Sequence, residues 1–107
     1  MLTRKVKRNL RDSIFICLMN GKWWTFWDLK AEIHSKTGRY YDHPTISASL
    51  REIRHPENRI RYGLPPMPRE VIEKRRLNEG SGWQYKLALT EDEIEHIKQE
   101  KRNARRI

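Results

Sequence analysis

A chain of 107 residues with 36% hydrophobic and 35% charged residues holds one modest core under a large charged surface. Its net charge of +9 and sequence pI near 10.1 favour a polyanionic partner: DNA, RNA or an anionic membrane. Four Trp, four Tyr and two Phe argue against a disordered chain, and the single cysteine, Cys17, excludes an intramolecular disulfide.

Residues 1–8 read as a short basic arm with little to pack. From Asn9 a helical pattern begins, with Leu10, Ile14, Cys17 and Leu18 on one face. Asn20-Gly21 stops it, because glycine readily takes the left-handed conformation of a helix end. Cys17 lies among Ile14, Phe15, Ile16 and Leu18, where a thiol behaves as a small hydrophobe. The apolar run from Ile14 to Met19 is far short of the ~20 residues of a membrane span, so a soluble, cytoplasmic protein is expected.

Lys22, Trp23 and Trp24 form a short extended link. Thr25 is then the N-cap of a second helix, with Asp28 placing negative charge in its first turn. Trp24 and Leu29 stand at hydrophobic-staple positions. The helix is expected to bury Phe26, Leu29 and Ile33 and to stop near Lys36, Thr37 and Gly38. Thr37 to Thr45 reads as a turn of roughly nine residues containing Tyr40 and Tyr41, longer than a tight helix-turn-helix turn. Either Asp42 or His43 caps the helix after it, and Pro44 is tolerated in the first turn.

In that third helix Ile46, Leu50 and Ile53 recur at i, i+4 and i+7. At about 100° per residue, Pro44, Ala48, Arg51 and His55 point the opposite way, flanked by Ser47 and Arg54. The helix is expected to end before Pro56, because a residue ahead of proline disfavours helix. Arg59-Ile60-Arg61-Tyr62 alternates basic and apolar, as a strand does, and so does Trp83-Gln84-Tyr85-Lys86-Leu87. The two runs are expected to pair antiparallel around a long tip, residues 63–82. That tip, with a helical turn or two near Val71, Ile72 and Lys74-Arg75-Arg76, is expected to be largely mobile. Thr90 and Glu93 form a capping box for a last helix carrying Ile94 and Ile97 on one face and fraying through Arg102 to Ile107.

Three helices followed by a β-hairpin is the plan of a winged helix-turn-helix domain, and the sequence resembles that family, most closely its small bacterial and phage versions. The matching segments are TFWDLKAEI, TISASLREIR, RIRY and WQYKL, and the resemblance covers roughly residues 9–89. It implies an α+β fold in a single domain, 1–107: the arm 1–8, helices and first wing strand 9–62, wing tip 63–82, second wing strand 83–89, and C-terminal helix 90–107. It further implies sequence-specific binding of double-stranded DNA by a small, nucleoid-associated regulator, with the third helix in the major groove and the wing on the backbone. Thr45, Ser47, Ala48, Arg51 and His55 would face bases, and Arg54, Arg59 and Arg61 would lie near phosphates. Lys74, Arg75 and Arg76 join the expected DNA-binding set from the tip. Arg51 is the favoured guanine contact, since its fork matches O6 and N7, and such a contact discriminates by ~1–3 kcal/mol. Operator-binding domains of this type commonly pair; Ile94 and Ile97 either form a small homodimer seam or cover the core.

Other signals have two readings. Trp23, Trp24, Phe26 and Trp27 either pack around the second helix, with Trp23 or Trp27 left partly exposed, or form a stacking platform for single strands. Tyr40 and Tyr41 either reach phosphate or pack. The arm and the basic tail (Lys101, Arg102, Arg105, Arg106) add phosphate contacts or are solvated termini. A protein-contact module docking through the tip or the last helix is the alternative to DNA binding. No two of His34, His43, His55 and His96 share an i, i+4 spacing, so no metal is expected. No nucleophile motif, glycine-rich phosphate loop or carboxylate pair is present, so neither catalysis, cofactor nor small-molecule substrate is expected.

Overall fold

Side-chain caps from Asn9, Thr25, Asp42 and Thr90 fix where four of the helices begin. A computed structural model describes residues 9–78 and 82–105, with side chains to Asn103. The basic arm, residues 79–81 of the tip, and the tail side chains of Arg105 and Arg106 lie outside the described residues. Helix α1 (Leu10–Leu18) opens on a capping box in which Asn9 accepts from the Asp12 amide at 2.8 Å. Strand β1 (Trp24–Thr25) follows in the segment expected to be only an extended link. Thr25 and Asp28 then form a reciprocal box for α2 (Phe26–Thr37), at 3.0 and 3.1 Å. Gly38, at φ 74°, ends α2 in the left-handed conformation and turns the chain at once toward α3 (His43–Ile53). The connection is residues 38–42, shorter than the expected turn, because both helices extend into it and Asp42, not His43, is the cap.

Pro56 stops α3 and also starts a further helix, α4 (Pro56–Tyr62), at whose first position its missing N–H costs nothing. The alternation in Arg59–Tyr62 is therefore coincidental, and the expected first wing strand is helical. Arg59 and Tyr62, three apart, are buried, whereas Ile60 is 83% exposed. A strand would have buried Ile60 and exposed Arg59.

The strand that pairs with Trp83–Leu87 lies inside the span read as a mobile tip. Strand β2 (Ile72–Arg76) pairs antiparallel with β3 (Trp83–Leu87), Ile72 opposite Leu87 and Arg76 opposite Trp83. The tip shrinks to residues 77–82, closed by the Leu77 amide donating to the Gly82 carbonyl at 3.0 Å. Strand β1 pairs with the other edge of β3, giving a three-stranded antiparallel sheet ordered β1-β3-β2. Helix α5 (Glu91–Arg105) starts on the Thr90–Glu93 box.

The fold is thus α+β, with five helices and one small sheet among the described residues. Ile14, Phe15 and Leu18 of α1 meet Leu29 and Ile33 of α2, Ile46, Leu50 and Ile53 of α3, and the strand pair Ile72–Leu87. Each such side chain, fully buried, contributes about 1.5–3 kcal/mol. Ile94 and Ile97 are buried in this same core, so they do not form a dimer seam. Leu64 and Val71 are buried too, which fixes the expected mobile span to the body. Among the described residues, no helix is long and apolar enough to cross a membrane.

Candidate nucleic-acid interface

Helix α3 turns Ile46, Ser49, Leu50 and Ile53 inward, and this leaves an outer stripe of Pro44, Ala48 and Arg51; His55, expected on the same stripe, lies past the helix end as the extended residue that precedes α4. Pro44, Arg51 and His55 are exposed, and Ala48 is half-buried with a side chain too small to hold a partner away from the backbone. The Arg51 side chain makes no hydrogen bond or ion pair among the described residues, so its fork is available. Thr45 is exposed on the flank toward α1, two turns before Glu52, whose carboxylate accepts from Arg11 at 3.4 Å. Ser47, half-buried, lies on the opposite flank, toward the hairpin.

The hairpin stands beside that flank. Tyr85 of β3 packs on Phe26 of α2 with ring centres 5.1 Å apart, and Phe26 packs on His43 of α3 at 5.2 Å. Burial pushes the Tyr85 phenol above its ordinary pKa, partly offset by the nearby Arg54 guanidinium. Lys74 is opposite Tyr85, and Arg76 is opposite Trp83, so both cations extend from the sheet face that looks toward α2 and α3. Arg75 is on the other face, donating to Gln84 at 2.8 Å and lying 4.1 Å from the ring centre of Trp23, with Lys86 near the same ring at 5.6 Å. All three basic residues expected from the tip are exposed, on a strand rather than on a helical turn.

The three arginines expected near phosphates have other partners. Arg54 donates from Nη2 to the Ile72 carbonyl at 3.2 Å, and its Nε lies 3.1 Å from a Glu70 carboxylate oxygen. It ties the end of α3 to the start of β2. Arg59 is only 5% exposed, and its guanidinium donates to the carbonyls of Arg54, Pro65 and Arg69. Arg59 is therefore a bracket inside the fold and does not reach a phosphate. Arg61 is exposed, but on α4 beside α1, 3.7 Å from Asp12, and not on the hairpin. Asn58, also buried, donates to the Glu52 carbonyl at 2.7 Å. Together Asn58 and Arg59 satisfy carbonyls at the open end of α3 and hold its axis against the 63–71 connection.

Two aromatics singled out in the sequence stand exposed near this surface. Trp27 is 69% exposed, edge-on to His43 at 5.1 Å and with Lys30 5.2 Å from its ring centre, so of the aromatic cluster it is the one turned outward. Tyr40 is exposed as well, stacked on His34 at 3.8 Å. In the position of Trp27, directly after the first helical residue and facing away from Leu29 and Ile33, the helical period held the signal. Trp24 and Phe26, by contrast, are packed against the core.

Compared with protein-family models, with curated proteins and with solved structures, the chain matches none.

Proposed function

We propose that the chain binds double-stranded DNA as a small regulator of the winged helix-turn-helix kind, with α3 in the major groove and the β2–β3 hairpin on the adjoining backbone. The observation that carries this reading is the outer stripe of α3. Small side chains let its backbone approach a groove, an unengaged Arg51 points outward, and Lys74 and Arg76 extend beside it. The helix pair α2–α3 with its five-residue connection, followed by the hairpin, supports the family reading; α4 is an addition to that plan. The +9 charge supplies the long-range attraction.

On this reading the base-facing residues are Ser47, Ala48 and Arg51, with Thr45 and, just past the end of α3, His55 at the margins, and the phosphate-facing residues are Lys74 and Arg76; Arg75, on the opposite sheet face against Gln84 and Trp23, is not in this set. Arg54 and Arg59 position α3 against the hairpin. Titration of mixed-sequence duplex at several salt concentrations tests the proposal. The association constant should fall steeply and linearly on logarithmic axes, and an excess of single strand should compete poorly. Absence of duplex binding at low salt would favour a protein partner.

A further inference from the structure

The hairpin carries chemistry that a phosphate contact does not require. Trp83, the first residue of β3, shares the inner face with Lys74 and Arg76 and is 37% exposed. Lys74 Nζ lies 4.8 Å, and Arg76 Cζ 5.6 Å, from its ring centre, so the indole is laid over two cations. It is not part of the core, which the same sheet face reaches at Ile72, Leu87, Tyr85 and Trp24. The strands β2 and β3 carry Lys74, Arg75, Arg76 and Lys86 against Glu73 alone. A flat apolar ring set among cations matches a polyanion whose units carry flat π faces.

We propose that Trp83 is a nucleobase-stacking residue: a base turned out of its stack lies against the indole, and phosphates of the same strand pair with Lys74 and Arg76. The inference rests on the DNA-binding reading above. Reach is sufficient, since five residues of β2 extend ~17 Å, about half a helical turn of duplex. That carries Trp83 from a major groove held by α3 toward the neighbouring minor groove. The stacked base has two sources, a base step opened in an intact duplex or a base already unpaired.

The test uses two probes, a mixed-sequence duplex containing 2-aminopurine in a paired position and the same duplex with that 2-aminopurine left unpaired. The full chain is compared with Trp83→Ala and Trp83→Phe. Trp83→Ala should weaken binding roughly 5- to 150-fold and abolish the change in 2-aminopurine emission, while Trp83→Phe keeps most of both. A loss on both probes identifies an opened step, and a loss confined to the unpaired probe identifies the unpaired base. If Trp83→Ala matches the parent on both probes, stacking is wrong and duplex binding stands. Equal losses in Trp83→Ala and Trp83→Phe also overturn stacking, since phenylalanine retains a π face. A parent that binds neither probe at low salt overturns both readings. Melting curves for both variants separate these outcomes from unfolding, and the exposed ring predicts curves unchanged from the parent.

Discussion

The Arg59 guanidinium donates from Nε to the Arg54 carbonyl at 2.7 Å, closing the C-terminal end of α3 from inside the fold. The same group reaches the carbonyls of Pro65 and Arg69, so one side chain joins α3, the connection after α4, and the approach to β2. Arg59 thereby braces α3 against the chain that leads into the hairpin, and Arg54 adds a direct tie through Glu70 and Ile72.

Arg59→Ala should lower stability by on the order of 3 kcal/mol, because it leaves three carbonyls without their charged donor. Arg59→Lys should recover little, since an ammonium lacks the fork that serves several acceptors at once. Urea unfolding followed by circular dichroism measures both. Were Arg59 a phosphate contact, the alanine variant would instead keep its stability and lose only affinity.

Arg51→Ala should leave stability unchanged, as the side chain is exposed and unengaged, and should cost ~1–3 kcal/mol of discrimination at one base pair. Competition between a preferred duplex and its single-base variants reads this directly. Lost affinity that is equal for all duplexes would make Arg51 a backbone contact.

Lys74→Ala and Arg76→Ala should weaken binding to every duplex alike and each reduce the logarithmic salt slope by about 1. Arg61→Ala should have a smaller effect on both, because Arg61 lies on α4 near Asp12, away from the hairpin. Salt titrations of the three variants against the parent measure the slopes.

Acid should loosen the contact between α5 and the 63–71 connection. The Arg69 guanidinium, paired with Glu93 through two 2.7 Å contacts, and the Thr90 amide and hydroxyl hold the Glu93 carboxyl down at about 2, against an ordinary 4.5. A carboxyl depressed in the folded chain contributes stability above its unfolded pKa and loses it as pH falls through the folded one. Melting temperatures should therefore fall between about pH 4.5 and pH 2, and Glu93→Gln should flatten that part of the profile. Because the pair is exposed, high salt should shrink the effect.

Helices announced by local chemistry were legible in the sequence. Thr25 caps α2 as expected, with Asp28 completing a box, Thr90 with Glu93 forms the expected capping box, and Ile46, Leu50 and Ile53 are buried as their period requires. The first partner of the hairpin was not legible, and the reason is physical. Arg59–Tyr62 has the alternation of a strand, but buried carbonyl acceptors outweigh pattern there, and a charged side chain goes inside while Ile60 goes out. Conversely, Ile72–Arg76 reads as one apolar residue followed by charge, because only its first residue reaches the core and the rest projects past it. Of the expected interface, the outward residues of α3 followed from helical geometry alone. The diversion of Arg54 and Arg59 into internal contacts did not, since acceptors 5 to 18 residues away leave no local mark.

The most direct test of the central claim is selection of bound sites from a random duplex library, run in parallel with the parent and Arg51→Ala. The account predicts an enriched motif for the parent and loss of preference at one guanine-containing pair for the variant, with the remaining positions kept. No enrichment, or the same motif at full strength from both proteins, would contradict it.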